Sequence, residues 1–190
     1  MIKPESAEFV GVCDSINWQG LINDLVSQTP GTQAPLKGIG YKDVNQLEEV
    51  SRPDDWKATV DLWNQAGYKN TQDGGNSEWL MFYPGLNFDE RIVEIYCDFL
   101  NVSGMNACWI SMILPGMMAP WHIDQHSLKN QNKTRYHTHI GAPQMGHIFM
   151  MEDDYFINQP QGATYKWNDV YAWHAGINGG RTPKFMLNFI

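Results

Sequence analysis

The residues able to do metal chemistry in this chain of 190 amino acids fall in two short stretches, Trp121-His122-Ile123-Asp124-Gln125-His126 and Trp173-His174-Ala175-Gly176. In an extended strand residues i and i+2 point to the same face, so His122 and Asp124 can offer an imidazole nitrogen and a carboxylate oxygen to one ion. His174, 52 residues later (174 − 122), can complete a triangle. Two imidazoles and one carboxylate on one face of an ion, with other positions left open, are the donor set of non-haem Fe(II) centres. His126 shares the parity of His122, but at about 3.3 Å per residue it lies roughly 13 Å along the strand, too far to bind the same ion.

Other polar residues sit where a barrel interior is expected. In the stretch Arg135 to Gly141, Arg135, His137 and His139 share one face, while Tyr136, Thr138 and Ile140 share the other. In the final run, Lys184 to Ile190, Lys184, Met186 and Asn188 alternate with Phe185, Leu187 and Phe189. The wholly apolar sets should pack against another layer, which turns the polar sets inward. Polar groups inside a barrel are costly unless they bind something or one another. Lys184 has no acidic partner in its strand, so a bound carboxylate is the expected counter-charge.

The elements that must hold these residues are short strands. From Met105 the hydrophobic period changes from about 3.6 to 2, with Gly, Pro and Asn between runs. Strands are expected at 105–114, 119–125, 134–141, 146–151, near Tyr155, at 164–167, 169–172 and 184–190, with Asn178-Gly179-Gly180 turning a last hairpin. Eight such strands fit a double-stranded β-helix, or cupin-like jelly roll. Residues 1–104 read as a helical, loop-rich buttress. One helix is capped near Asp14-Ser15 and runs through Ile16, Leu21, Ile22, Leu25 and Val26. A second starts near Pro53 and runs through Trp63, and a third spans 89–100, with a strand at 78–83 before it. The whole chain, 1–190, reads as a single domain, since this length suits one core better than two.

Composition narrows the partners. With 43% hydrophobic residues and 8 each of Trp, Tyr and Phe, the chain is globular rather than disordered. A net charge of −8 without a basic cluster argues against nucleic acid. No apolar run approaches the roughly 18 residues that span a bilayer, and no signal sequence opens the chain, so a cytoplasmic, membrane-free protein is expected. The three cysteines, Cys13, Cys97 and Cys108, have no metal or disulfide spacing and read as inert thiols.

The order His122-x-Asp124, distant His174, then Lys184 ten residues on (184 − 174) resembles the 2-oxoglutarate-dependent Fe(II) oxygenases. Within them, Trp121 to Ile190 is most similar to the aspartyl/asparaginyl β-hydroxylase branch. The stretch Arg135-Tyr136-His137-Thr138-His139-Ile140-Gly141 and the Trp173-His174 pair carry that likeness. The resemblance implies that His122, Asp124 and His174 are the catalytic iron ligands and that Lys184 pairs with the distal carboxylate of 2-oxoglutarate. His139, and with it Arg135 or His137, would contact the cosubstrate, and Trp121, Gln125, His126 and Trp173 would flank the ligands. Molecular oxygen and a peptide side chain or small molecule would be the other reactants. The chain departs from the branch in having Lys184 where Arg is frequent, with Arg181 as a rival cation. It also keeps a carboxylate ligand that named members can lack. Two other readings stay open: a cupin metalloenzyme that does not use 2-oxoglutarate, and a non-catalytic jelly-roll binding module.

Overall fold

The computed structural model describes residues 5–28, 61, 65, 79–124 and 134–190. Among the described residues, ten strands and two fully described helices follow one another as β1 (Ala7–Val12), α1 (Trp18–Ser27), β2 (Trp79–Phe82), α2 (Arg91–Leu100), β3 (Cys108–Ile113), β4 (Met118–His122), β5 (Tyr136–His139), β6 (His147–Met151), β7 (Asp154–Ile157), β8 (Ala163–Trp167), β9 (His174–Asn178) and β10 (Lys184–Phe189).

The strands form two antiparallel sheets. The larger runs β1-β8-β5-β10-β3-β2 and the smaller β4-β9-β6-β7. Strands β3 to β10 supply four to each sheet, and the chain passes from one sheet to the other as it winds along them. This is the double-stranded β-helix, or jelly roll, expected from the spacing of the short strands.

The alternation within β5 and β10 sorts the large sheet into two faces. On its outer face Phe185, Leu187, Phe189, Ile140, Ile110 and Met112 join Trp18, Leu21, Ile22 and Leu25 of α1 and Tyr96 and Cys97 of α2 in one apolar cluster. Apolar residues recur on one side of each helix, so burying that side on a sheet stabilises both elements. Tyr96 adds a polar anchor, its hydroxyl meeting Thr138 Oγ1 on β5 and lying 3.5 Å from Thr164 Oγ1 on β8. Between the sheets, Phe149, Met151, Phe156, Tyr165, Trp167 and Met186 make a second cluster. All three cysteines are buried and free, and burial pushes the Cys108 thiol up to about 12.

Several expectations need correction. The described part of residues 1–104 is not a helical half, because β1 and β2 extend the large sheet at both edges, β1 beside β8 and β2 beside β3. Phe9, Val10 and Val12 suit a pleated edge better than a helix. The cap of α1 is Asn17, whose Oδ1 accepts the Gly20 N–H at 3.0 Å, rather than Asp14-Ser15. The helix expected from Pro53 to Trp63 lies outside the described residues apart from Asp61, which is helical. The stretch 169–172 is a turn: Asp169 accepts the Tyr171 N–H at its side chain (2.8 Å) and the Ala172 N–H at its carbonyl (3.1 Å).

The strand that follows that turn begins at His174. Asn178-Gly179-Gly180 does not turn a hairpin, since β9 and β10 belong to different sheets. Asn178 instead ties the crossover down, its Nδ2 donating to the carbonyls of Ile113 (2.7 Å) and Thr182 (2.9 Å).

Candidate metal centre

His122 ends β4 and His174 opens β9, and the two face each other as register partners in the small sheet. Their rings are 4.2 Å apart between centroids. Asp124, just past the end of β4, turns its carboxylate between them. Oδ1 lies 3.3 Å from His122 Nε2 and Oδ2 lies 3.4 Å from His174 Nε2. The donor atoms of the three residues all lie within 4.8 Å of one another. Bonds of about 2.0 to 2.2 Å to one ion need donors no more than about 4.4 Å apart, so a shift of a few tenths of an ångström at most brings the three side chains onto one ion.

The second nitrogen of each ring is tied to backbone. His122 Nδ1 meets the Pro120 carbonyl at 2.5 Å, and His174 Nδ1 meets the Ala172 carbonyl at 3.0 Å. A carbonyl only accepts, so each Nδ1 carries a proton and each ring turns its Nε2 toward Asp124. This is the outer hydrogen bond that orients an imidazole as a ligand. Burial, with the neighbouring His122, brings the His174 pKa down to about 4 against the pull of Asp124, so the ring is neutral at physiological pH. Burial opposes ionisation of Asp124, but the charge of the Arg135 guanidinium outweighs it and holds the carboxyl well below its usual range.

A cavity of about 50 Å³ runs from this triad to Lys184. Its wall includes Trp109, Ser111, Phe149, Met186 and Asn188, with Ala119 and Gly176 between the histidines and the lysine. Gly176 lies two residues after His174 on the same face of β9. A Cβ there would come 2.6 Å from Ile113 Cδ1 and 3.5 Å from Lys184 Nζ, so the missing side chain leaves room beside the triad.

Lys184 is 3% exposed, and among the described residues no carboxylate lies within ion-pairing range of it. Its Nζ reaches only Met186 Sδ, at 3.0 Å, and the face of Phe149, 5.6 Å from the ring centroid. Burial alone lowers its pKa to about 7.

The remaining expected site residues are distributed differently. Arg135 lines the cavity, but its guanidinium pairs with Asp124, Nη2 to Oδ2 at 2.5 Å. His137 lies behind the cavity, stacked on Tyr165 and accepting the Trp167 indole N–H at Nδ1 (2.8 Å). His139 lines a second, smaller cavity of about 20 Å³ on the other side of Lys184. Burial, with Lys184 adding repulsion, brings its pKa down to about 3, and its buried Nε2 has no hydrogen-bond partner among the described residues. Trp121 and Trp173 do not line the cavity, Arg181 is exposed, and Gln125 and His126 lie outside the described residues.

The Asp124–Arg135 pair escaped the sequence reading. Parity turned Arg135 inward, but no pattern says which carboxylate an inward arginine meets. Gly176 did carry a signal: a glycine inside a strand, two residues from a candidate ligand, marks close approach of something to the backbone.

No protein-family model matches the chain, and no curated protein matches it in sequence. Among solved structures it is similar to an oxidoreductase of the 2OG-Fe(II) oxygenase family from Burkholderia pseudomallei, at 13% identity and a TM-score of 0.38. That match covers 53% of this chain and 52% of the other, so the chain spans about half of that relative's length. It is also similar to a Pseudomonas putida prolyl-4-hydroxylase, at 11% identity and a TM-score of 0.44 over 90% of this chain and 97% of that one. A predicted oxalate decarboxylase from Thermotoga maritima matches at 12% identity and a TM-score of 0.37, over 59% and 78%. Likeness this low carries no activity across, and the jelly-roll assignment stands on the strand order itself. Among the described residues no helix is long and apolar enough to cross a membrane.

Proposed function

We propose that this protein is an Fe(II)- and 2-oxoglutarate-dependent dioxygenase that hydroxylates an unactivated C–H of a peptide side chain or small molecule. The observation that carries the reading is one cavity with a His-Asp-His donor set at one end and a buried ammonium without a carboxylate partner at the other. The residues fit the group by two tests. The Nε2 lone pairs and the ionised carboxylate are the donors that a divalent iron takes. The room left by Gly176 lies where a small chelating acid would pass between triad and lysine.

His122, Asp124 and His174 would hold the iron. When bound, iron with 2-oxoglutarate and oxygen supplies the oxidative decarboxylation to succinate that drives hydroxylation. The protein's own share is positional. Lys184 pairs its ammonium with the distal carboxylate, which removes the cost of an unmatched buried charge. Phe149, Met186 and Ile113 keep water from that end, and His139 borders Lys184 from the smaller cavity behind it. The motif 135–141 and the Trp173-His174 pair favour the aspartyl/asparaginyl β-hydroxylase branch as the nearest kind.

The test is anaerobic titration of the apoprotein with Fe(II) and then 2-oxoglutarate. A visible charge-transfer band from the chelated keto acid is expected, and His174→Ala should abolish both metal binding and the band. Metal binding without the band would favour a cupin metalloenzyme of other chemistry. Absence of metal binding in the wild type would leave a binding module.

A further inference from the structure

The carboxylate of Asp124 is shared between two claims. Its Oδ2 is 2.5 Å from Arg135 Nη2 and 3.4 Å from His174 Nε2, whereas Oδ1 lies 3.3 Å from His122 Nε2. Arg135 is 1% exposed, one of the most deeply buried large side chains in the molecule. Its guanidinium carbon lies 3.7 Å from the centroid of the Trp167 ring, a close cation–π stack, with the Trp109 ring 5.7 Å away. Trp167 is fixed in turn, its backbone N–H donating to the Arg135 carbonyl at 2.8 Å and its indole N–H to His137 at 2.8 Å. The same ring packs edge-on against His174, 4.8 Å between centroids. One tryptophan therefore seats the cation that grips Asp124 and steadies a second candidate ligand.

We propose that Arg135 is a positioning residue: clamped on Trp167, its guanidinium occupies Oδ2 of Asp124, so that the carboxylate offers a metal only Oδ1 and one coordination position stays open. The reasoning is a count of positions. An octahedral ion held by three protein donors has three places left, two for a chelating keto acid and one for oxygen. A carboxylate free to bind through both oxygens would take one of them. A rigid fork on the far oxygen prevents this, and a lysine, being a point charge on a flexible stem, would do it less well. The role differs from direct contact with cosubstrate, which the motif alone suggested for Arg135. The inference rests on the metal-centre reading above, and its first readout needs no cosubstrate.

The apoprotein is loaded with Mn(II), and the water ligands of the ion are counted by oxygen-isotope broadening of its EPR lines. Three waters are expected in the wild type; two would overturn the proposal, since Asp124 would then bind through both oxygens despite Arg135. In Arg135→Met two waters are expected, with Mn(II) affinity unchanged or raised because a repelling cation is gone. The affinity of that metal-loaded variant for 2-oxoglutarate should fall about 10–100-fold, the usual scale for loss of an outer partner of a metal ligand. In an Asp124→Ala background, Arg135→Met should change it by no more than about twofold, because the two residues act as one unit. An equal loss with and without Asp124 would show that Arg135 grips the cosubstrate itself and would sink the idea. Arg135→Lys, which keeps the buried charge, should fall between wild type and Arg135→Met, and it reads the same quantities if the methionine variant does not fold. Failure of the wild type to bind 2-oxoglutarate would remove the proposed activity but leave the water count to decide the role of Arg135.

Discussion

The outer face of β10, with Phe185, Leu187 and Phe189, and its inner face, with Lys184, Met186 and Asn188, are buried alike, yet burial does opposite things to them. Outward, three apolar side chains meet the apolar faces of α1 and α2, and removing them from water stabilises the fold. Inward, an ammonium is left with a thioether and a ring face, and Asn188 spends its amide on Ser111 Oγ at 3.2 Å and the Met186 carbonyl at 3.4 Å. That face costs stability unless a ligand arrives. The helix-covered half of the sheet thus supplies the rigidity with which the other half holds an unfavourable arrangement in place.

The largest expected effect falls on the outer face. Leu187→Ala deletes a fully buried side chain and should lower stability by about 2–5 kcal/mol, read from urea unfolding. Metal affinity of the folded fraction should not change. A large loss of metal affinity in this variant would mean that the two faces are coupled, and the comparison would fail.

The inner face should respond the other way. Lys184→Met replaces the unmatched ammonium with an apolar chain of similar length, so the apoprotein should melt at a higher temperature. The metal-loaded variant should lose about 2–5 kcal/mol of 2-oxoglutarate binding by calorimetry, the cost of truncating one partner of a buried charge pair. If binding is untouched, Lys184 is not the counter-charge, and the lysine end of the cavity has another purpose.

A pH series sharpens the same contrast. The Lys184 pKa is lowered from 10.5 to about 7. Between these values the unfolded chain holds a proton that the folded chain has released. From this group alone, unfolding free energy therefore rises with pH across that window, by up to about 1.4 kcal/mol per pH unit, and the penalty is complete below pH 7. Cosubstrate binding runs oppositely, because a carboxylate needs the ammonium: affinity should be greatest below about pH 7 and decline above it. Lys184→Arg should flatten both trends, since a guanidinium does not titrate there. A wild-type stability profile that does not steepen relative to Lys184→Met above pH 7 would show that Lys184 is charged in the folded protein.

The parts legible in the sequence were those set by a strand's period of two. Alternation in β5 and β10 told which of Arg135, His137, His139 and Lys184 turn inward, and the spacing of Gly, Pro and Asn gave the short strands. Partnership was not legible, because it depends on which strands lie across the sandwich. Arg135 meets Asp124, and His137 is enclosed by Phe149, Phe156, Tyr165 and Trp167, contributed by both sheets. The stretch 169–172 misled because an Asx turn and a short strand can share a composition, and the side chain of Asp169 decides between them. The edge strand β1 was hidden by its pattern, since three of its exposed residues, Phe9, Val10 and Val12, are apolar and do not alternate.

The smallest expected effect concerns Gly176, where the two halves of the cavity meet. A Cβ at this position would stand 2.6 Å from Ile113 Cδ1, the far end of a flexible side chain that can swing aside, and 3.5 Å from Lys184 Nζ, an ordinary contact. The backbone has no positive φ here, so alanine is not strained for that reason. Gly176→Ala should therefore fold, changing stability by no more than about 1 kcal/mol, at the low end of what added core methyl groups cost. Metal affinity should stay unchanged, since no donor atom moves. The added methyl group occupies the space through which a chelating acid would connect triad to lysine, so 2-oxoglutarate affinity should drop by about tenfold, or roughly 1.4 kcal/mol. Gly176→Val should drop it further, and titration of the metal-loaded variants reads both. If the alanine and valine variants bind 2-oxoglutarate as the wild type does, the acid does not pass over Gly176, and the route from the histidines to Lys184 must be drawn along Ser111 and Asn188 instead.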